Sequence, residues 1–301
     1  MKKSKIKRYI KSRKTRLGLQ HCCSATKGTR ATRQLVARLG TVAKFGEQAP
    51  NEDYAYADEG CIALSDGAGG CGLYADRWSR YLVTQLPKRD AIQSYEQLDA
   101  WVGEIWQDFY DACEAEAQKG DSMLLNKFYN EGACATLVAV WRHSAQSCQW
   151  MAYGDSLIFV YNRASGALWH SFSALADFDK APYLISCKDP LTPQGFSHGV
   201  IELEADSLVF AASDSLSHFI LMMYQVSRWE QYQTALEALI ASHSSSSHLI
   251  QVARAMPFDF ERDILEPLIA STASERAFAE QMRAWYELGL LELDDYSVVF
   301  L

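Results

Sequence analysis

The feature that most constrains this chain is a series of apolar runs of strand length, several of which stop at an aspartate. Tyr54–Ala57 and Cys61–Ser65 flank an Asp58-Glu59-Gly60 turn, the signature of a short strand pair. Ala133–Trp141, Cys148–Tyr153 and Leu157–Asn162 follow in close succession, the last two joined by Gly154-Asp155-Ser156. Strands are expected again at Val200–Leu203, Ser207–Ala212 and Tyr296–Leu301, with residues 164–198 irregular between them. The intervening stretches read as helices. Tyr74–Leu86 stops at Pro87, and Tyr95–Gln118 places Leu98, Trp101, Val102, Ile105, Trp106 and Phe109 near a 3.6-residue period. Asp214–Val226 and most of 229–288 are also helical in pattern. Consecutive strands with helices before and after them argue for an α+β fold with packed sheets, not for an alternating parallel one.

The charge is divided unevenly along the 301 residues. Residues 1–38 hold 13 of the 29 Lys and Arg and no acid, which leaves 16 bases against all 37 acids on residues 39–301. The expected organisation is therefore a basic, solvated arm (1–38) on an acidic body (39–301). The acidic body repels nucleic acid, so only the arm could serve such a partner. No apolar run reaches the roughly 18 residues of a membrane span. The eight cysteines form no CxxC pair and read as reduced thiols, which points to the cytoplasm.

Asp66, Asp155 and Asp214 each follow a strand-like run, Asp294 precedes the closing one, and Glu52-Asp53 precedes Tyr54–Ala57. Strand ends hold side chains rigidly and can bring distant residues into one site. A carboxylate-only cluster suits a hard cation such as Mg²⁺ or Mn²⁺. Any one of these aspartates taken alone also reads as a turn former or helix cap. Composition and periodicity do not choose between the two readings.

The ordered set does. Asn51-Glu52-Asp53, Ser65-Asp66-Gly67-Ala68-Gly69-Gly70, Gly132-Ala133-Cys134-Ala135-Thr136, Gly154-Asp155-Ser156, Ala212-Ser213-Asp214-Ser215 and Asp294-Asp295-Tyr296-Ser297-Val298-Val299 together resemble the motifs of the type 2C, metal-dependent protein phosphatases. The resemblance spans about residues 39–301 and is to the bacterial type, because Ala68 stands where eukaryotic members carry a histidine. It implies a four-layer α-β-β-α sandwich of two antiparallel sheets flanked by helices. It implies two bound Mg²⁺ or Mn²⁺ ions: Asp66 bridging both, Asp214 and Asp294 completing one site, and Glu52 or Asp53 with the Gly67 carbonyl holding the other. Asp155 would serve a third, weaker site. The implied activity is hydrolysis of phosphoserine and phosphothreonine in proteins by a metal-activated water, with catalysis resting on Asp66, Asp214 and Asp294. The implied partners are a phosphorylated protein and a cognate Ser/Thr kinase, and a monomer is expected.

Departures from the pattern leave a second function open, a pseudophosphatase acting as a regulatory binding module. Gln48 stands where many members grip phosphate with an arginine, and Lys44 is the nearest upstream base. Ser215 replaces a glycine, and Asp295 replaces an asparagine, adding a charge that could tighten metal binding. The 164–198 segment falls where the family carries a flap over the substrate.

Overall fold

A computed structural model describes residues 37–46 and 50–301, so all but the last two residues of the basic arm, and Gln48, lie outside the described residues. In chain order the strands are β1 (Arg38–Val42), β2 (Tyr54–Ala57), β3 (Cys61–Ser65), β4 (Cys134–Ala135), β5 (Leu137–Arg142), β6 (Ser147–Tyr153), β7 (Leu157–Asn162), β8 (Leu168–His170), β9 (Ile185–Ser186), β10 (Phe196–Glu202), β11 (Ser207–Ala212) and β12 (Tyr296–Phe300). One five-stranded sheet runs β1-β12-β11-β7-β8 and the other β10-β6-β5-β3-β2; β4 and β9 make a two-stranded ribbon. Every pairing among them is antiparallel.

Alternation explains the layers. In β5, Val138 and Val140 face the other sheet, while Leu137, Ala139 and Trp141 face helices. In β7, Ile158 and Val160 point between the sheets, and Leu157, Phe159 and Tyr161 point away. Both faces are apolar because both are covered, so these strands read as unbroken hydrophobic runs. Helices α1 (Ala75–Gln85), α2 (Tyr95–Ala117) and α3 (Ser122–Glu131) cover the second sheet through Trp78, Leu82, Leu98, Phe109 and Phe128. Helices α4 (Asp214–Ser227), α5 (Trp229–Ala241), α6 (Ser247–Arg254), α7 (Glu266–Ser271) and α8 (Glu275–Glu287) cover the first. The fold is the expected α+β sandwich of four layers. Helix α4 is buried from Leu216 to Val226, an all-round apolar helix enclosed by the sheet and its neighbours. In the first sheet Phe210 stacks between Phe159 (5.0 Å) and Phe300 (5.3 Å).

Some elements differ from expectation. The run 133–141 is broken at Thr136, whose N–H donates to the Asp66 carbonyl (2.8 Å) instead of extending a ladder. Its first half pairs with β9 instead. Helix α3 went unexpected, although Asp121 caps it by accepting from the Leu124 N–H (2.8 Å) and Gly132 ends it at a φ of 68°. Strand β1 was also unexpected; five residues are too few to show a period before the partner β12 is known. The 164–198 segment contains β8, β9 and the start of β10.

The registers decide where the aspartates go. Tyr54 pairs with Ser65 and Leu137 with Tyr153, so Asp53, Asp66 and Asp155 leave the second sheet at one end. Ala212 pairs with both Leu157 and Val298, which brings Asp214, Asp155 and Asp294 to that same end of the first sheet.

Candidate carboxylate site

Asp66 sits between the two sheets' ends, and its backbone is held on both sides. The Asp66 N–H donates to the Thr136 hydroxyl (3.1 Å), and that hydroxyl also bonds Ser156 (2.8 Å) in the turn carrying Asp155. The Asp66 carboxylate accepts from the Asp214 N–H (3.3 Å), where helix α4 begins. Ser215, in the first turn of α4, donates its hydroxyl to Asp294 (3.0 Å). The serine that departs from the motif thus aims a carboxylate at the cluster. Asp53 is buried, and neither of its carboxylate oxygens has a hydrogen-bond partner of good geometry. The Ser297 and Ser213 hydroxyls lie near enough only to favour its charged form partly.

Gly67 and Gly69 carry the chain past Glu52. A Cβ on Gly67 would lie 2.6 Å from the Glu52 carbonyl and 2.7 Å from that of Ala75. One on Gly69 would collide with the Glu52 carboxylate, which the Gly69 N–H helps to hold charged. The Gly67 N–H also donates to the Glu52 carbonyl (3.1 Å).

Burial and crowding both act on these groups. Burial first, then repulsion by Asp295 and Asp214, pushes the Asp53 carboxyl up to about 8. Asp66 is driven well above the usual range by burial and then by Asp214, Asp53, Asp155 and Asp294. Asp214 rises to about 7, from burial and the charges of Asp294 and Asp155. Asp155 rises to about 6 by burial and by Asp294. Glu52 is raised by burial, partly offset by Lys44. Carboxylates sharing a desolvated site cannot all ionise without added positive charge.

Lys44 brings some of that charge. Its ammonium lies 3.9 Å from Asp294 Oδ1, so the nearest upstream base does reach the cluster. Asp295 behaves differently from its neighbour. One of its oxygens accepts from the Lys44 N–H and the other from the Glu52 N–H, both at 2.7 Å. It clasps the two ends of the 44–52 segment, with both oxygens engaged, instead of adding a free ligand. Sequence reasoning missed this; nothing in an Asp-Asp pair tells which carboxylate faces a site.

The donor chemistry fits a hard divalent cation: all-oxygen, anionic, partly unpartnered and electrostatically in deficit. The side chains are gathered but not closed around one point, since no three His, Cys, Asp or Glu among the described residues converge tightly enough to hold an ion.

The sequence matches no family model and no curated protein at a significant level. Solved structures are similar in fold at low identity. The Staphylococcus aureus serine/threonine phosphatase Stp1 is 12% identical, with 92% of this chain and 98% of that one covered at a TM-score of 0.49. The catalytic domain of the serine/threonine phosphatase PstP, in complex with two manganese ions, is 17% identical over 88% of this chain and 97% of that one, with a TM-score of 0.47. PppA, a regulatory component of a secretion system in Pseudomonas aeruginosa, is 15% identical, covering 88% and 95% with a TM-score of 0.44.

Proposed function

We propose that this protein is a metal-dependent phosphoprotein phosphatase of the type 2C class, bacterial type. The observation that carries the reading is the gathering of Asp53, Asp66, Asp155, Asp214 and Asp294 at one end of a two-sheet sandwich, with burial and mutual repulsion raising the first four. A like-charge cluster of this kind costs stability, and packing alone gives no reason to keep it. Asp66, Asp214, Asp294, Glu52 or Asp53 and the Gly67 carbonyl would hold two Mg²⁺ or Mn²⁺ ions, and Asp155 a third, weaker one. Bound there, the ions supply a water of lowered pKa and positive charge opposite the phosphoryl oxygens.

The chain's own residues do the positioning. Thr136 fixes the Asp66 backbone, and Ser215 orients Asp294. Asp295 holds Lys44 and Glu52 in place, and the Lys44 ammonium, beside Asp294, is set to meet an oxygen of the phosphate. The substrate on this reading is a phosphorylated protein and the counterpart enzyme a Ser/Thr kinase; the phosphatase works as a cytoplasmic monomer, and residues 1–38 serve as a basic arm. No described helix is long and apolar enough to cross a membrane.

The test is hydrolysis of p-nitrophenyl phosphate and of a phosphothreonine peptide with Mn²⁺, with Mg²⁺ and with EDTA, beside Asp66→Ala and Asp214→Ala. Metal-dependent turnover lost in both variants supports the reading. The second reading, a pseudophosphatase binding module, draws on the open arrangement of the carboxylates and on the Lys44–Asp294 contact. Metal binding by calorimetry without any turnover would favour it.

A further inference from the structure

A cavity of about 340 Å³ opens beside the cluster, with Gly154 and Asp155 in its lining. It lies where the two open sheet edges meet, between the residues after β8 (Ser171–Ser173) and those at the start of β10 (Gln194–Ser197). Its outer wall is Pro182 and Tyr183. Two glycines let that wall close in. A Cβ on Gly195 would lie 2.6 Å from both the Tyr153 ring and the Tyr183 Cβ, and one on Gly154 would lie 3.0 Å from the Tyr183 carbonyl. Gly154 also needs its φ of 104°, which side chains rarely adopt.

The lining is of mixed character. Phe172, Pro182 and Tyr183 give apolar surface. Ser173, Gln194 and Ser197 also line the cavity, and their side chains make no hydrogen bond among the described residues. Lys180 is already paired with Asp177 (2.6 Å), so Asp155 is the uncompensated charge of the lining. Ligand pockets have this composition, apolar walls with a few polar groups left over for a ligand. The volume is at the small end of such pockets, suited to one side chain.

Asp155 belongs to both places, lining the cavity and acting electrostatically on Asp66 and Asp214. Successive residues of an extended peptide are only about 3.3 Å apart. A phosphoresidue over the carboxylate cluster therefore puts its neighbour at the cavity mouth. We propose that this cavity seats the uncharged side chain of a residue adjoining the phosphorylated one, with Ser173, Gln194 and Ser197 bonding the peptide backbone. This rests on the phosphatase reading. An acidic neighbour is disfavoured by the apolar wall, which leaves its charge unsolvated.

The experiment uses phosphothreonine peptides that differ only in the adjoining residue (Leu, Gly or Glu), with Mn²⁺, and p-nitrophenyl phosphate as reference. Ser173→Trp and Ser197→Trp fill the cavity from opposite walls. The Leu peptide should exceed the Glu peptide in kcat/KM by about tenfold or more. Both tryptophan variants should erase that preference and lower peptide turnover relative to p-nitrophenyl phosphate. A flat series in the parent protein, or a preference that survives in both variants, overturns the proposal. If p-nitrophenyl phosphate is not hydrolysed at all, the phosphatase reading fails by itself, and fluorescence anisotropy of the labelled Leu phosphopeptide decides the cavity. Saturable binding lost in both variants supports the seat; no binding, or binding unchanged in both, overturns it.

Discussion

Two groups of carboxylates in this molecule are treated in opposite ways. Glu261 and Glu266 share Arg163 at 2.6 and 2.5 Å, and Tyr161 donates its hydroxyl to Glu261 (3.3 Å). That group ties the end of β7 to the helices, and each of its carboxylates has the guanidinium as a partner in place. Asp53, Asp66, Asp155 and Asp214 face one another, with Lys44 the ammonium beside neighbouring Asp294. The first arrangement is complete without a ligand. The second is raised in energy by burial and mutual repulsion, the condition expected of a cation site on the function proposed above.

The comparison breaks most decisively at Asp66. Asp66→Ala should lower metal-dependent kcat/KM on the order of 10³-fold. The same change should leave the metal-free protein no less stable by thermal melting, because it removes a buried, repelled charge. A lower melting temperature with kcat/KM retained below it would place Asp66 with the structural group.

Asp295→Ala should come next. It strips the clasp from the Lys44 and Glu52 N–H groups, each bond to a charged acceptor being worth about 1.5–3 kcal/mol. A fall in denaturant midpoint together with weaker Mn²⁺ binding by calorimetry is expected. An unchanged midpoint would show that the 44–52 segment is held by other means.

Lys44→Met should raise KM for a phosphopeptide about tenfold, some 1.4 kcal/mol, with a smaller change in kcat. Equal losses in both would assign Lys44 to the transition state instead. Gln48→Arg should move KM the other way.

Stability against pH sharpens the contrast without mutation. In the folded protein Asp214 and Asp53 hold protons up to about 7 and about 8, whereas the ordinary value is 3.8. The folded state therefore binds more protons between those limits, and metal-free stability falls as pH rises from about 4 to 8. Mn²⁺ should flatten that slope in melting curves. His218, buried against Ser246 (2.6 Å) and lowered to about 4, acts in the opposite sense: its contribution is full above 6.5 and lost as pH falls towards 4. A metal-free melting temperature independent of pH between 5 and 8 would count against the crowded carboxylates.

The smallest effect is expected at Arg163. Arg163→Ala should cost about 1 kcal/mol, since the pair is partly exposed, and should leave hydrolysis of p-nitrophenyl phosphate as it was.

Much of the fold was legible in the chain. Strands β2, β3, β7 and β11 carry their own ends, because Gly, Asp and Ser turns bracket short apolar runs. Helices α2 and α4 show a period or a polar start. Candidate residues Asp66, Asp155, Asp214 and Asp294 were visible as acids at strand ends, and their order carried the resemblance. Thr136 was not legible as a break, since its carbonyl and hydroxyl serve Ser65 and Asp66, some 70 positions earlier. The cavity was not legible either, because it is lined by segments around 154, 172, 183 and 195 that meet only when the two sheet edges do.

Sequence by itself marked the strand and helix runs and nominated the acids, because turn chemistry, helical period and strand-end position are local properties, whereas the four layers came only with the resemblance carried by the ordered motifs. Tertiary structure alone decided the division of labour between Asp294 and Asp295. The chain bends at Asp294 just before β12, and the two side chains part there. Asp294 faces the cluster, held by Ser215, while Asp295 turns under the 44–52 segment. Which side is which depends on where β1 and α4 lie, and these are more than 240 and about 80 residues away in the chain.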